Sequence, residues 1–68
     1  MKVFKAKNAK QLELCLRLLF SAGFSGPHNV RIIETKKKEK IKISYEIYVD
    51  LKDDLFNELT EKYRLMLS

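Results

Sequence analysis

The sequence is poor in several residue types: its 68 residues include one cysteine, one proline, two glycines, one histidine and no tryptophan. A single cysteine, Cys15, cannot form an internal disulfide. The longest apolar stretch, residues 12–24, is interrupted by Glu13, Arg17 and Ser21, whereas a membrane span needs roughly 20 apolar residues. The chain does not open with a basic region followed by an apolar run, so we expect no secretory leader and predict a cytoplasmic protein.

Length and composition predict one small soluble domain over residues 1–68. Hydrophobic residues make up 46% and charged residues 34%, which is typical of a globular chain rather than a disordered one. The net charge of +5 allows an anionic partner, although a charge of this size also serves solubility alone. Because so short a chain buries only about 60% of its unfolded surface, we expect a protein partner or self-association to add stability.

The first third of the chain predicts a strand followed by a capped helix. Residues 1–7 alternate apolar and polar side chains, as in a half-buried strand. Asn8 has the side chain of a helix N-cap, and Gln11 stands where it completes a capping box. Gly23 is expected to end the helix in a left-handed conformation, with Phe24 packing back. The helix face predicted to meet the core consists of Leu12, Cys15, Leu16, Leu19 and Ala22.

Two further strands are predicted after a loop at residues 25–28. Val30 and Ile32 share one face of the second strand. The clearest alternation in the chain gives the third strand a single apolar face of Ile41, Ile43, Tyr45, Ile47 and Val49. The charged residues 36–39 are predicted to form the connecting turn, centred on the second and third of them. Such a turn would pair Ile32 with Ile43, and Val30 with Tyr45.

A second helix is predicted after the third strand. Asp50 is the predicted N-cap, and Asp53 and Asp54 would lie near the positive end of the helix dipole. Lys62 and Arg64 would lie near its negative end. The predicted apolar face of this helix consists of Leu51, Leu55, Leu59 and Met66, flanked by Phe56 and Tyr63.

This order of elements, β-α-β-β-α, predicts an α+β fold. A right-handed crossover makes the first two strands parallel, and the hairpin makes the third antiparallel to the second. Placing the most apolar strand in the centre gives a three-stranded sheet of order 1-3-2 with two helices on one face. In element order the chain resembles a truncated ferredoxin-like domain that lacks its usual last strand. The resemblance implies a first strand whose outer edge is unpaired and open to another chain.

No group of residues in the sequence has the spacing of a catalytic or metal site, so we expect no enzyme, no cofactor, no metal and no small-molecule ligand. His28 lacks ligand partners at a suitable spacing and is interpreted as a surface residue, and Cys15 as a buried, inert thiol. A small CRISPR-associated nuclease would carry an acidic residue near the end of the first strand, where this chain has Lys5, Ala6 and Lys7. The chain also lacks the phosphate loop of acylphosphatases and the Cys-x-x-Cys of heavy-metal-binding domains.

Two functions stay open on the sequence alone. The first is a non-catalytic protein-interaction or regulatory module that binds a partner chain, or a second copy, through the first-strand edge or the open sheet face. The alternative is nucleic-acid binding through the lysine-rich turn and the basic sheet face. RNA recognition by base stacking is disfavoured, because Tyr48 is the one outward-facing aromatic residue on that face. The candidate binding residues are Lys5, Arg31, Ile33, Lys36, Lys37, Lys38, Lys40, Lys42 and Tyr48.

Overall fold

The fold is a three-stranded antiparallel sheet with two helices, as a computed structural model that describes residues 1–24 and 29–67 shows. The elements are β1 (Lys2–Ala6), α1 (Ala9–Ser21), β2 (Asn29–Lys37), β3 (Lys40–Val49) and α2 (Asp53–Leu67). β3 lies between β1 and β2 and runs antiparallel to both. The predicted α+β class, element order and 1-3-2 strand order are therefore confirmed. The predicted loop at 25–28, including His28, lies outside the described residues.

A capping box begins α1. Asn8 has extended backbone angles, and its side-chain oxygen accepts a hydrogen bond from the backbone N–H of Gln11 at 2.9 Å. The side-chain oxygen of Gln11 in turn accepts from the backbone N–H of Lys7 at 2.9 Å, one residue before the group that the sequence predicted. The box therefore ends β1 and starts α1 within three residues.

A Schellman motif ends α1, as predicted. Gly23 takes a φ of +85°, in the left-handed region that glycine enters without strain. Its backbone N–H donates to the carbonyl oxygen of Phe20, and the N–H of Phe24 donates to that of Leu19, both at 3.0 Å. Phe24 is half-buried against the core, so the motif also directs the chain back toward the sheet.

One apolar core lies between the two helices and one face of the sheet. Its buried members are Phe4, Ala6, Cys15, Leu18, Leu19, Ile47, Val49, Leu59 and Tyr63. The ring of Phe4 anchors α2 on β1, because it stands 5.0 Å from the ring of Phe56 and 5.9 Å from that of Tyr63, measured between centroids. Both helices contribute to this single cluster, so they cover the same face of the sheet.

The predicted helix faces are partly wrong. Leu18 is buried although the predicted stripe omits it, whereas Leu16 is only half-buried and Ala22 is exposed. The reason is that α1 packs against α2 as well as β1, so its buried face is wider than one stripe, and Ala22 lies at the C-cap after the last helical residue. Met66, in the last turn of α2, is 42% exposed rather than buried.

The start of α2 also differs from the prediction. The helix begins at Asp53, and the first helical hydrogen bond runs from the N–H of Phe56 to the carbonyl oxygen of Lys52, so Asp50 is not the N-cap. Asp53 lies in the first turn as predicted, and its carboxylate stands 2.5 Å from the ammonium group of Lys2. The hydrogen bond and charge of Lys2 hold the pKa of Asp53 below its ordinary value. Between the predicted cap and the start of the helix, Leu51 is half-buried against the core, and Lys2 holds the first helical residue, Asp53.

The hairpin register is shifted by two residues from the predicted one. Ile32 pairs with Tyr45 rather than Ile43, and Val30 pairs with Ile47 rather than Tyr45. The strands run on to Lys37 and Lys40, which leaves Lys38 and Glu39 as a two-residue turn. Lys38 takes a φ of 56°, the left-handed conformation that two-residue hairpins favour. A shift of two preserves the facing of every side chain, so the predicted faces stand.

Candidate protein-interaction surface

The hairpin extends beyond the helices as an arm. We call residues 32–44 the hairpin arm: β1 ends at Ala6, opposite Tyr45, so residues 40–44 of β3 pair with β2 alone, and Ile32, the β2 partner of Tyr45, stands at the base of the arm. Ten residues of β3 span about 33 Å, whereas the 13 residues of α1 span about 20 Å. The radius of gyration of 12.6 Å exceeds the roughly 11 Å of a compact chain of this length, which fits a projecting arm.

The arm exposes isoleucines on the face that further down the sheet meets the core. Ile32, Ile41 and Ile43 keep 66%, 58% and 47% of their surface accessible. Ile47, on the same face of the same strand, is completely buried. The difference lies in position: Ile47 lies beneath the helices, Ile41 and Ile43 lie beyond the end of β1, and Ile32 lies on the edge strand β2. The apolar alternation of β3 therefore forms core at one end and an open apolar surface at the other.

On the opposite face of the sheet, the positive charge is partly offset where β3 pairs with β1. Glu46 stands in register between Lys5 of β1 and Arg31 of β2, so a carboxylate lies directly between two of the predicted binding cations. Its carboxylate also accepts a hydrogen bond from the hydroxyl of Tyr48 at 2.8 Å. Lys5 and Arg31 thus share a row with one acidic group that Tyr48 also contacts, and the net charge of this row is +1.

Positive charge is concentrated on the arm instead. Its five lysines against two glutamates leave a net charge of +3. The register places Lys37, Lys40 and Lys42 on the open face, together with the half-buried Ile33. Lys36 pairs with Ile41 and shares the other face, and Lys38 occupies the turn. The candidate lysines therefore surround the arm rather than forming one flat surface.

A groove extends over the open face of the arm and reaches the edge of β3 beside the end of β1, since its lining includes Ile33, Thr35 and Lys37 of β2 as well as Ala6 and Lys7. Within residues 1–24 and 29–67, no strand pairs with the β1-side edge of residues 40–44, so a stretch of backbone N–H and C=O groups there lacks a sheet partner. The groove has a volume of about 1300 Å³. Six lysines and two glutamates line it: Lys5, Lys7, Lys37, Lys38, Lys40, Lys42, Glu39 and Glu46.

The outer edge of β1, the predicted binding edge, is short and partly used. In the described part of the chain β1 pairs with β3 alone, so it is an edge strand of five residues. The carbonyl oxygen of Lys5 accepts a hydrogen bond from the hydroxyl of Tyr63 at 3.0 Å, and the ammonium group of Lys2 is held by Asp53. The β3 edge at residues 40–44 is reached by the groove, whereas one carbonyl group of β1 is already hydrogen-bonded to Tyr63.

The reactive side chains that the structure describes form no site. Cys15 is completely buried, and burial raises the pKa of its thiol to about 11, so it remains protonated at neutral pH. Among residues 1–24 and 29–67, no group of three histidine, cysteine, aspartate or glutamate side chains is arranged to hold a metal ion. His28 lies outside the described residues.

Sequence reasoning missed that the isoleucines of the arm are exposed. Alternation assigned Ile32, Ile41 and Ile43 to the core face, which is correct, but it does not show how far the helices reach along that face. Comparing a strand of about 33 Å with helices of about 20 Å would have shown that one end must extend past them. The relevant signal was element length, not side-chain pattern.

Comparison with known proteins gives no relative: no protein family, curated protein or solved structure matches the chain. Neither described helix has the length and apolar character needed to cross a lipid bilayer. Function must therefore be argued from the geometry of the chain itself.

Proposed function

We propose that the chain is a small, non-catalytic interaction module that binds another protein chain through its hairpin arm. The exposure of Ile32, Ile41 and Ile43 on the arm carries the proposal. Apolar side chains that stay exposed contribute little to the stability of the fold. Groups of such side chains mark contact surfaces when their rim is charged. The lysines of the arm supply that rim.

Two further parts of the proposal concern architecture and location. We assign the domain to the truncated ferredoxin-like type, supported by the 1-3-2 sheet and the placement of both helices on one face. We also assign it to the cytoplasm, supported by a single, buried, unpaired cysteine. The exposed arm allows the partner to be a second copy or a different protein, and the experiment below separates the two.

Site-specific photo-crosslinking in the cells that naturally make the protein tests the proposed function. The variant Ile41→benzoylphenylalanine places a light-activated group on the arm, and Asn57→benzoylphenylalanine places it at an exposed site on α2 as the matched control. We expect discrete protein adducts from position 41 that position 57 does not give, and that excess unlabelled protein removes. An adduct of twice the chain mass would identify a second copy as the partner.

Two results would overturn the proposal. Equal adduct patterns from positions 41 and 57 would show that the arm is an ordinary surface. Adducts that disappear on nuclease treatment would show that the arm contacts nucleic acid rather than protein.

Nucleic-acid binding is the second candidate, because the arm carries a net charge of +3 from five lysines and two glutamates. Lysines at a hairpin tip contact phosphates without reading sequence. If all five lysines of the arm bound phosphates, the affinity for duplex DNA would fall with a log-log salt slope of about −4.5. Anisotropy of a labelled 20-base-pair duplex, measured from low to moderate salt, tests this candidate. The absence of binding at low salt would eliminate it.

A further inference from the structure

The open edge of β3 results from the capping box at the start of α1. A strand continuing β1 would pair with residues 44 to 40 of β3, but the chain leaves the sheet after Ala6. The backbone N–H of Lys7 donates to the side-chain oxygen of Gln11, and the carbonyl oxygen of Asn8 accepts from the N–H of Leu12. The groups that would have extended β1 are thus committed to the helix, and β3 keeps an unpaired edge of five residues.

We propose that this edge receives an extended segment of a different protein as a fourth strand, in line with β1, and that the segment alternates acidic and apolar residues. The inference rests on the proposed function and specifies its partner and binding mode. Adding a strand to an open edge uses backbone hydrogen bonds for affinity and alternate side chains for specificity. The groove of about 1300 Å³ extends over the open face of the arm and reaches this edge at Ala6, Lys7 and Ile41, so there is open space beside the edge for such a strand.

The alternation of the partner segment follows from that of β3. Lys40, Lys42 and Ser44 point to the open face, and Ile41 and Ile43 to the helix side. Residues of an added strand that stand opposite the lysines share their face, so acidic side chains there form favourable cross-strand pairs. Residues opposite Ile41 and Ile43 are apolar and cover surface that is now 58% and 47% exposed. The antiparallel direction is favoured, since it continues the sense of β1 and is the more stable pairing.

Charge in the groove selects an acidic partner. Six lysines and two glutamates line it, which gives a net charge of +4. Lys5 and Lys7 stand at the β1 end, and Lys37, Lys40 and Lys42 lie along the arm. A basic or neutral strand would place like charges together or leave these lysines without counter-charges, so an acidic segment is preferred.

The same argument disfavours a second copy at this edge. Two β3 edges paired antiparallel about a two-fold axis centred on Lys42 would place Lys42 opposite Lys42 of the other copy. A register centred on Ile41 would place Lys40 opposite Lys42. Both arrangements set lysine beside lysine, and like charges directly opposite each other destabilise a strand pair. A register centred on Ile43 would place Ile41 opposite Tyr45, whose edge β1 already occupies.

Labelled synthetic peptides test the inference with the full chain. The probe is a nine-residue peptide of alternating glutamate and valine, followed by fluorescence anisotropy and by amide hydrogen exchange of the protein. One control peptide has lysine in place of glutamate, and a second has prolines at two adjacent central positions. Because adjacent N–H groups point to opposite edges, one of these prolines removes a hydrogen bond to β3. We expect the acidic peptide to bind at least tenfold more tightly than either control and to slow exchange within residues 40–44.

Charge reversal on the protein provides the matched variants. Lys42→Glu, at an exposed position on the edge, lowers the net charge of the groove from +4 to +2 and is expected to weaken the preference for the acidic over the basic peptide. Lys52→Glu, at an exposed position beside the start of α2, changes the net charge equally and is expected to leave the preference unchanged. Equal effects of the two variants would show that net charge alone drives binding, and would overturn the inference.

The remaining outcomes separate this inference from the proposed function. Equal binding of the proline-containing and the unbroken acidic peptide, absence of protection at residues 40–44, or no binding of the acidic peptide would each overturn strand addition. If protein crosslinks from position 41 persist in any of those cases, the arm still binds a protein, by another mode. If the crosslinks also fail, the proposed function fails with it.

Discussion

The hydroxyl group of Tyr63 donates a hydrogen bond to the backbone carbonyl oxygen of Lys5 across 3.0 Å, although 58 residues separate the two in sequence. The bond joins the later turns of α2 to the end of β1, next to the base of the hairpin arm. The same hydroxyl lies 3.4 Å from the carbonyl oxygen of Gln11 in the first turn of α1. One side chain therefore connects three elements that meet where the sheet narrows to two strands.

Removing this hydroxyl should destabilise the fold without disturbing its packing. Tyr63→Phe keeps the ring that stands edge-on to Phe4 and deletes the hydrogen bond, so we expect the free energy of unfolding to fall by about 1 kcal/mol. Urea denaturation measures the change. Tyr48→Phe is the control, since its hydroxyl bonds Glu46 on the open face, and its loss should be smaller. Equal losses would contradict a special role for Tyr63.

Alkaline pH should lower the stability of the protein, because the thiol of Cys15 ionises more readily in the unfolded chain. Burial raises the pKa of its thiol from 9.0 to about 11, so between these values the unfolded chain releases a proton that the folded chain retains. The free energy of unfolding therefore falls as pH rises through this window, by about 2 to 3 kcal/mol in all, and is unaffected by this group below pH 9. Burial also raises the pKa of Tyr63 to about 12, with Cys15 as a second cause, which adds to the loss.

Comparing urea denaturation at pH 8, 9 and 10 under reducing conditions measures this dependence. Cys15→Ala removes the titrating thiol, so its free energy of unfolding should fall less steeply with pH than that of the natural chain. Identical slopes in the two proteins would mean that Cys15 is not the titrating group.

The helix end at Gly23 gives a test of backbone conformation alone. A Cβ atom at this position would meet nothing within 4 Å, so Gly23→Ala adds no clash and changes only the strain of a φ of +85°. We expect a loss of about 1 to 2 kcal/mol, measured as a lower thermal midpoint. Gly23→Asn should lose less, because asparagine enters the left-handed region more readily. A neutral alanine variant would mean that the Schellman motif does not limit stability.

Two isoleucines of β3 should respond differently to the same substitution. Ile47→Thr removes apolar contacts from a completely buried site and should cost more than about 2 kcal/mol of the free energy of unfolding. Ile43→Thr, on the same face but 47% exposed, should cost less than about 0.5 kcal/mol. Chemical denaturation of both variants measures the contrast. A large loss at Ile43 would show that the arm belongs to the core and would weaken its assignment as a binding surface.

Local signals predicted the parts of the fold that local interactions determine. The capping box at Asn8 and the left-handed Gly23 are each fixed by a few neighbouring residues, and both stand where the sequence placed them. The 1-3-2 strand order followed from the apolarity of β3. The hairpin register was wrong by two residues because Lys38 takes the left-handed turn position, and no glycine or asparagine marks it.

The candidate site was only partly predictable because it depends on relations between elements. The sequence identified the lysines of the arm but could not show that Glu46 stands between Lys5 and Arg31, since that row depends on the register of three strands. The sequence assigned the unpaired edge to β1, which is an edge strand in the structure, but did not identify the second unpaired edge at residues 40–44 of β3. Locating this edge requires knowing where the chain leaves the sheet to begin α1, which depends on the hydrogen bonds within residues 7–12.

The position of Ile41 and Ile43 beyond the helices has a consequence for how the protein can change. Substitutions at the tip of the arm change exposed surface while the hydrophobic interior retains its contacts. Under the proposed function, recognition and foldability thus occupy separate parts of one short chain, and new partner preferences would arise by point mutation without first requiring surplus stability.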